Sequence, residues 1–188
     1  MERTFADCIA AYHEISASAL SSLEAIFQKK AYSAKTKLTN TGEVSNKIYF
    51  IAKGCISGQY KDKNVYHTLW FGVELDCVSS YKSLITGGPG VEILVLQEDC
   101  VLYEASFSEM KELIESDLEL AILYHRIIES NYLYWENRIL ELQFNTAKER
   151  YDLFVARAAQ MLQRFPLNQI ASYLGITQET LSRIRAKY

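Results

Sequence analysis

Proline is nearly missing from this chain: 188 residues include only 2, and only 8 are glycine. So little of either excludes collagen-like and Pro/Gly-rich low-complexity structure. Long apolar runs are missing too. No uncharged stretch approaches the roughly 18 residues that a membrane-spanning helix needs. Glu2 and Asp7 stand where a secretory signal would carry its positive region. A cytoplasmic protein without membrane contact is therefore expected. The four cysteines, Cys8, Cys55, Cys77 and Cys100, are far apart with no C-x-x-C spacing. This predicts buried free thiols and no disulfide framework. What is present is a globular composition, 49% hydrophobic and 23% charged. It is too apolar for a disordered chain, on a length that suits one large domain or two small ones.

Signatures of catalysis and metal binding are equally scarce. His13, His67 and His125 fall at no metal spacing. There is no nucleophile–base pairing, and Gly87-Gly88-Pro89-Gly90 lacks both the P-loop pattern and its Lys. Neither an enzyme, a cofactor nor a metal site is expected.

A net charge of −3 by itself argues against a polyanion-binding protein, but the charge is unevenly placed. Residues 148–188 carry Lys148, Arg150, Arg157, Arg164, Arg183, Arg185 and Lys187 against Glu149, Asp152 and Glu179, hence +4, and the rest carries −7. An acidic body with a basic end predicts that any polyanion meets the last forty residues.

Glycine placement divides the chain. Seven of the eight lie between residues 42 and 90, and the eighth is Gly175. Dense glycine marks turns, and the same region has strand patterns. Residues 47–52 and 55–60 flank a turn at Lys53-Gly54, and a polar turn at 61–64 leads into alternation over 65–71. A short buried-type run follows at 93–96, and alternation returns over 101–105 after a turn at Glu98-Asp99. Short strands so spaced predict an antiparallel sandwich or roll.

Helical periods flank this region, giving an α+β class overall. Upstream, Leu20, Leu23, Ile26 and Phe27 line one face of a helix starting near Ser18. Downstream, residues 108–145 contain no Gly or Pro, which predicts one long helix. Ile114, Ala121, Ile128, Trp135 and Leu142 repeat every seven residues there, and so do Leu118, His125, Tyr132 and Ile139. Together they form an a/d seam. Either the helix packs on its own domain, or a two-fold partner covers the seam. The length favours the partner, so a homodimer through residues 111–146 is expected. A further helix is expected from Ala147 to about Gln163. The expected organisation is a β-roll with N-terminal helices (1–110), a dimerisation helix (111–146) and a C-terminal domain (147–188).

The segment LNQIASYLGITQETLSRIRAKY, residues 167–188, carries the sharpest signal. Counting Leu167 as position one, Ala171 is fifth, Gly175 ninth and Leu181 fifteenth. Ile170, Leu174, Ile176 and Ile184 fill the fourth, eighth, tenth and eighteenth places. This is the pattern of a helix-turn-helix, whose fifth residue must be small where two helices cross. Its ninth must accept a left-handed turn. Thr177 is a good N-cap for the second helix, which then presents Gln178, Glu179, Ser182 and Arg183 outward. Such a helix enters the major groove of double-stranded DNA by its N-terminal part. There Arg183 can bond guanine, Glu179 can accept from cytosine, and Gln178 can pair with adenine. Arg185 and Lys187 suit phosphates. Each residue also has a plain alternative: Glu179 complements the helix dipole, and Arg183 can be a solvated cation.

This arrangement resembles the Crp/Fnr family of bacterial transcription regulators. The resemblance is most specific at IASYLGITQETLSRIR, and includes GEVSNKIYFIAKGCISGQY (42–60) at the opening of the β-roll. It implies a cyclic-nucleotide-binding-like roll and a short C-terminal helix-turn-helix, as in the family's short members. It also implies a homodimer on a pseudo-palindromic site, with Glu179 and Arg183 as base readers. Two departures stand out. The family's phosphate cassette has a Gly-Glu pair and a later Arg; here Val73 separates Gly72 from Glu74, and no Lys or Arg occurs between Lys82 and Lys111. Burying an unpaired phosphate is costly, so cAMP binding in the family's manner is not expected. Gly72, Glu74 and Lys82 remain the ligand-binding candidates for an unidentified small-molecule effector. The second departure is a missing hairpin before the motif and a missing wing after it, which implies fewer phosphate contacts. A ligand-binding module with a non-functional DNA domain is the alternative, and a cyclic-nucleotide response through an unfamiliar phosphate contact is a third. An iron–sulfur cluster is not expected, because Cys8 stands alone near the N-terminus.

Overall fold

The computed structural model describes residues 2–186. Two short helices, α1 (Phe5–Ala10) and α2 (Ala17–Ile26), precede strands β1 (Gln28–Tyr32), β2 (Lys37–Thr39), β3 (Lys47–Lys53), β4 (Ile56–Asp62), β5 (Val65–Gly72) and β6 (Cys77–Val78). Helix α3 (Tyr81–Thr86) separates these from β7 (Glu92–Leu96) and β8 (Cys100–Ser106). The remainder is helical: α4 (Phe107–Ser116), α5 (Leu118–Phe144), α6 (Ala147–Ala158), α7 (Met161–Arg164), α8 (Leu167–Tyr173) and α9 (Gln178–Arg185).

The strands form two four-stranded antiparallel sheets, ordered β1-β8-β3-β6 and β2-β7-β4-β5. Ile51, Ile56, Leu94, Leu96 and Leu102 are fully buried between them. The strand patterns read at 47–52, 55–60, 65–71, 93–96 and 101–105 fall on β3, β4, β5, β7 and β8. Strands β1 and β6 carry no such signal. The former is QKKAY with its first four residues exposed, and the latter is two residues long. Glu104 on β8 crosses two strand pairings, meeting Lys30 of β1 at 2.8 Å and Lys47 of β3 at 2.5 Å. The four cysteines are free and buried.

The expected unbroken helix over 108–145 is two helices. Asp117 leaves the helical conformation (φ −132°, ψ 116°), and its carboxylate accepts from the Glu119 amide at 2.8 Å. An aspartate at an N-cap satisfies donors that an unbroken helix would pair internally, so it restarts a helix without glycine or proline. Residues 147–163 divide similarly. Helix α6 ends at Ala158, and Leu162 donates to the Ala159 carbonyl three residues back at 3.1 Å, so the chain tightens into α7.

Helix α5, 27 residues long and so about 40 Å at 1.5 Å per residue, has two apolar faces. Leu120, Leu123 and Ile127 are fully buried against Phe5, Phe27, Phe50 and Met110. The opposite side leaves Leu118 77%, Tyr132 66% and Ile139 52% exposed. Among the described residues no helix is long and apolar enough to cross a membrane.

Because Leu123 is sealed on all sides, Leu123→Ala should lower the unfolding free energy by about 2–5 kcal/mol in urea titration. A loss below ~1 kcal/mol would mean that this face of α5 is loosely packed.

Candidate functional site

Helices α8 and α9 are joined by a tight turn whose conformation is dictated by one glycine. Gly175 has φ +65°, the left-handed region that side chains resist. A Cβ there would sit 3.1 Å from the Leu142 side chain. The amide of Gly175 donates to the Ser172 carbonyl and that of Ile176 to the Ala171 carbonyl, each at 3.0 Å. These two bonds form the Schellman pattern that ends a helix. Two arginines satisfy further carbonyls at the end of α8. Arg138, from α5, donates through Nη2 to the Tyr173 carbonyl, and its guanidinium lies 3.8 Å from the Tyr173 ring centroid. Arg150, from α6, donates through Nε to the Leu174 carbonyl at 2.8 Å.

After the turn, Thr177 caps α9 by accepting the Thr180 amide at 3.2 Å. Leu181 points inward, buried with Ile170, Ala171, Leu174, Tyr151 and Phe154. The period of α9 then sends Gln178, Glu179, Ser182, Arg183 and Arg185 to solvent, all exposed. Its own backbone amide and the Thr177 hydroxyl hold the Glu179 carboxyl below the usual range, and Arg183, one turn on, assists. The face is therefore charged at neutral pH and bears both acceptors and donors. Lys187 lies outside the described residues.

The basic excess of the last forty residues is largely engaged inside the molecule. Lys148 pairs with Asp152 at 2.7 Å, Arg157 with Glu141, and Arg164 with Glu74 and Glu98. Arg150 is occupied by carbonyls, including that of Asn145 at 2.6 Å. Among the described residues Arg183 and Arg185 enter no ion pair, so the cations open to a polyanion are those on α9.

The helix pair rests on the roll. Strand β5 is the edge of its sheet, and α8 covers it: the Thr68 amide donates to the Ser172 hydroxyl at 2.9 Å. An edge strand so covered is protected from pairing with another chain. Phe71 faces away from the sheet interior into this contact, 4.0 Å from the Phe165 ring and 5.0 Å from Tyr173 between centroids. Two residues beyond β5, Glu74 makes a two-armed ion pair with Arg164 at 2.8 Å in each arm, and accepts from the Gly54 amide at 2.9 Å. Such fork-to-carboxylate geometry is the stronger kind of ion pair.

This arrangement sorts the three ligand-binding candidates. A cavity of 460 Å³ lies between the β5–β6 segment, α3, α5 and the α6–α7 turn, and Gly72 lines it. Glu74 is turned instead toward Arg164, and Lys82 is exposed on α3 outside the lining. Val73, between Gly72 and Glu74, also lines the cavity, whereas the Glu74 carboxylate is held outside it by Arg164 and the Gly54 amide. The sequence offered no sign that Trp70, Tyr134, Trp135 or Asp76 would wall this cavity, since they are separated along the chain and meet only through the fold.

Burial alone would raise the Glu74 carboxyl, but Arg164 and the Gly54 amide bring it down to about 2. An acid depressed in the folded state stabilises above its ordinary pKa, and that contribution disappears as pH falls through the folded value. Release of α8–α9 from the roll is therefore expected between about pH 4.5 and 2, and can be followed by small-angle scattering. Glu74→Gln should remove this step; an unchanged acid transition would assign it to other carboxylates.

No protein-family model matches the sequence, and no curated protein matches it. Solved structures do. FixK2 from Bradyrhizobium japonicum aligns with a TM-score of 0.76 at 18% identity, over 86% of this chain and 84% of that one. CooA from Carboxydothermus hydrogenoformans aligns at 0.72 and 15%, over 98% and 83%. CLP of Xanthomonas campestris, a c-di-GMP-responsive global regulator, aligns at 0.70 and 17%, over 92% and 91%. The chain thus has the fold of Crp/Fnr-type regulators, with their cyclic-nucleotide-binding type of β-roll followed by a long helix.

Proposed function

We propose that this chain is a homodimeric, sequence-specific DNA-binding transcription regulator of the Crp/Fnr type, acting in the cytoplasm. The observation that carries the reading is the outer face of α9. There Gln178, Glu179, Ser182, Arg183 and Arg185 stand together in solvent, on a helix seated by a glycine turn, with two arginines free of internal ion pairs. Residues 167–186 are on this reading a helix-turn-helix whose second helix enters the major groove. Arg183 donates two bonds to guanine, Glu179 accepts from cytosine, and Gln178 serves a neighbouring base. Thr177 caps the helix, while Arg185 and Lys187 meet phosphates.

The uncovered face of α5 supports the homodimer. Leu118, Tyr132, Ile139 and Leu142, all from the heptad seam, are exposed, although the same helix buries a complete second stripe. A two-fold partner along residues 111–146 would cover them and set two copies of α9 about 34–36 Å apart, one turn of DNA. Residues 1–110 are then the sensing or supporting roll, and 147–188 the DNA-binding domain.

Selection from a random duplex library should return an inverted repeat with that spacing; a pool that stays random even at low salt would overturn the reading. Arg183→Ala should cost about 1–3 kcal/mol on the selected site and relax specificity at one base pair per half-site, read by fluorescence anisotropy. Equal losses on selected and random DNA would assign Arg183 to phosphate. Tyr132→Glu combined with Ile139→Glu should yield a folded monomer by sedimentation, and with it loss of cooperative binding to the repeat. A persisting dimer would move the interface elsewhere.

A further inference from the structure

The 460 Å³ cavity behind β5 is within the ~300–1,000 Å³ range of small-molecule sites, and its chemistry is specific. Aromatic rings dominate the wall: Tyr12, Trp70, Phe71, Tyr81, Tyr134 and Trp135. The indole of Trp70 lies flat on the backbone of Gly58, where a Cβ would come within 2.0 Å of the ring. Tyr134 and Trp135 pack edge to face at 5.5 Å. Three separate elements thus present rigid π surfaces to one space.

The charge inside that space is negative. Asp76 and Glu92 both line it, and among the described residues neither enters an ion pair. One oxygen of Asp76 accepts from the Val73 amide at 2.8 Å, and one of Glu92 from the Trp70 indole at 3.4 Å. The one cation of the lining, Arg157, is largely exposed and already paired with Glu141. Burial pushes the Asp76 carboxyl up to about 6 and raises that of Glu92, as expected of carboxylates facing a low-dielectric space without a counter-ion. An anion placed here would meet two carboxylates and no free cation. A cation would supply their missing partner and lie against ring faces, the arrangement that recognises quaternary and protonated amines.

We infer that this cavity binds an organic cation, a protonated or quaternary amine carried on an apolar or aromatic body, and does not bind an anionic nucleotide. The ligand class stands on the cavity alone; only its role as an effector rests on the DNA-binding reading. Lined by β5, β6, α3, α5 and the α6–α7 turn, the site would bring the ligand against Phe71, whose ring also packs on Phe165 and Tyr173 of the docked helices.

The chain's 2 tryptophans, Trp70 and Trp135, both wall the cavity, so intrinsic fluorescence reports on it directly. Benzyltrimethylammonium should quench or shift the emission saturably. Benzyl alcohol should act only at far higher concentration, and benzoate and cAMP not at all. Glu92→Gln keeps an acceptor for the Trp70 indole while removing the charge. It should weaken the cation by about tenfold without altering the far-ultraviolet dichroism. Asp76→Asn, which keeps the bond from the Val73 amide, should act in the same direction. Saturable binding of cAMP or benzoate, no response to the cation, or a cation affinity in both variants unchanged from that of the unsubstituted protein would each overturn the inference. None of these outcomes bears on the selection of DNA by the unliganded dimer, so the two readings fail separately.

Discussion

The position of α9 depends on Arg138. This residue belongs to α5, yet its guanidinium is buried at the far end of α8, stacked on Tyr173 and donating to that residue's carbonyl. A helix C-terminus has carbonyls without partners and a partial negative charge, and a guanidinium answers both in one geometry. Nη1 of the same side chain is buried without a hydrogen-bond partner among the described residues, a cost that the anchor carries. Arg138 thus ties α5 to the end of α8, which the four-residue turn 174–177 joins to α9.

The fate of the charges shows why net charge is a poor guide to function in this protein. Arg150, Arg157 and Arg164 hold helices to one another or to the roll and Lys148 pairs within α6, so four of the seven cations counted along the sequence are engaged within the molecule. Among the described residues, the cations of this segment that remain outside these contacts belong to a small, mixed set on α9. Two arginines beside Glu179 and Gln178 suit selective base contact more than broad attraction to a polyanion, because non-specific affinity scales with the number of phosphates neutralised. Specificity would then depend on where the dimer places two copies of that set.

The C-terminal pair of helices was legible because its constraints are local. A left-handed turn needs Gly175, a close crossing needs Ala171, and an exposed helix start needs Thr177; each is a single residue with one physical reason. The roll was legible where its strands carry alternation or a buried-type apolar run, as β3, β4, β5, β7 and β8 do, and not at β1, β2 and β6. The break at Asp117 was missed because a helix was sought by the absence of glycine and proline, whereas an aspartate can restart one without either. The ligand-binding candidates suffered most. Glu74 is a candidate through the resemblance of Gly72-Val73-Glu74 to the family's Gly-Glu pair, but its partner in the fold is Arg164, ninety residues away. The cavity wall unites Tyr12, Trp70 and Trp135, whose proximity no local pattern encodes.

That wall also links the two halves of the molecule. Phe71 touches Phe165 and Tyr173 of the docked helices and lines the cavity as well. Arg157 pairs with Glu141 of α5 while standing at the cavity from α6. A molecule bound there lies in a space whose wall includes Phe71, a group that holds the helix pair. Its effect on α9 is then a matter of differential affinity. On the proposed reading, a ligand that binds the docked arrangement better than a released one would hold the two copies of α9 at one spacing, and by linkage operator DNA of that spacing would tighten the ligand in turn. A ligand that fits both arrangements equally would fill the cavity and change nothing at the DNA. Phe71 decides between these cases, because moving α8 off β5 would uncover one side of its ring and reshape the wall against which the ligand lies.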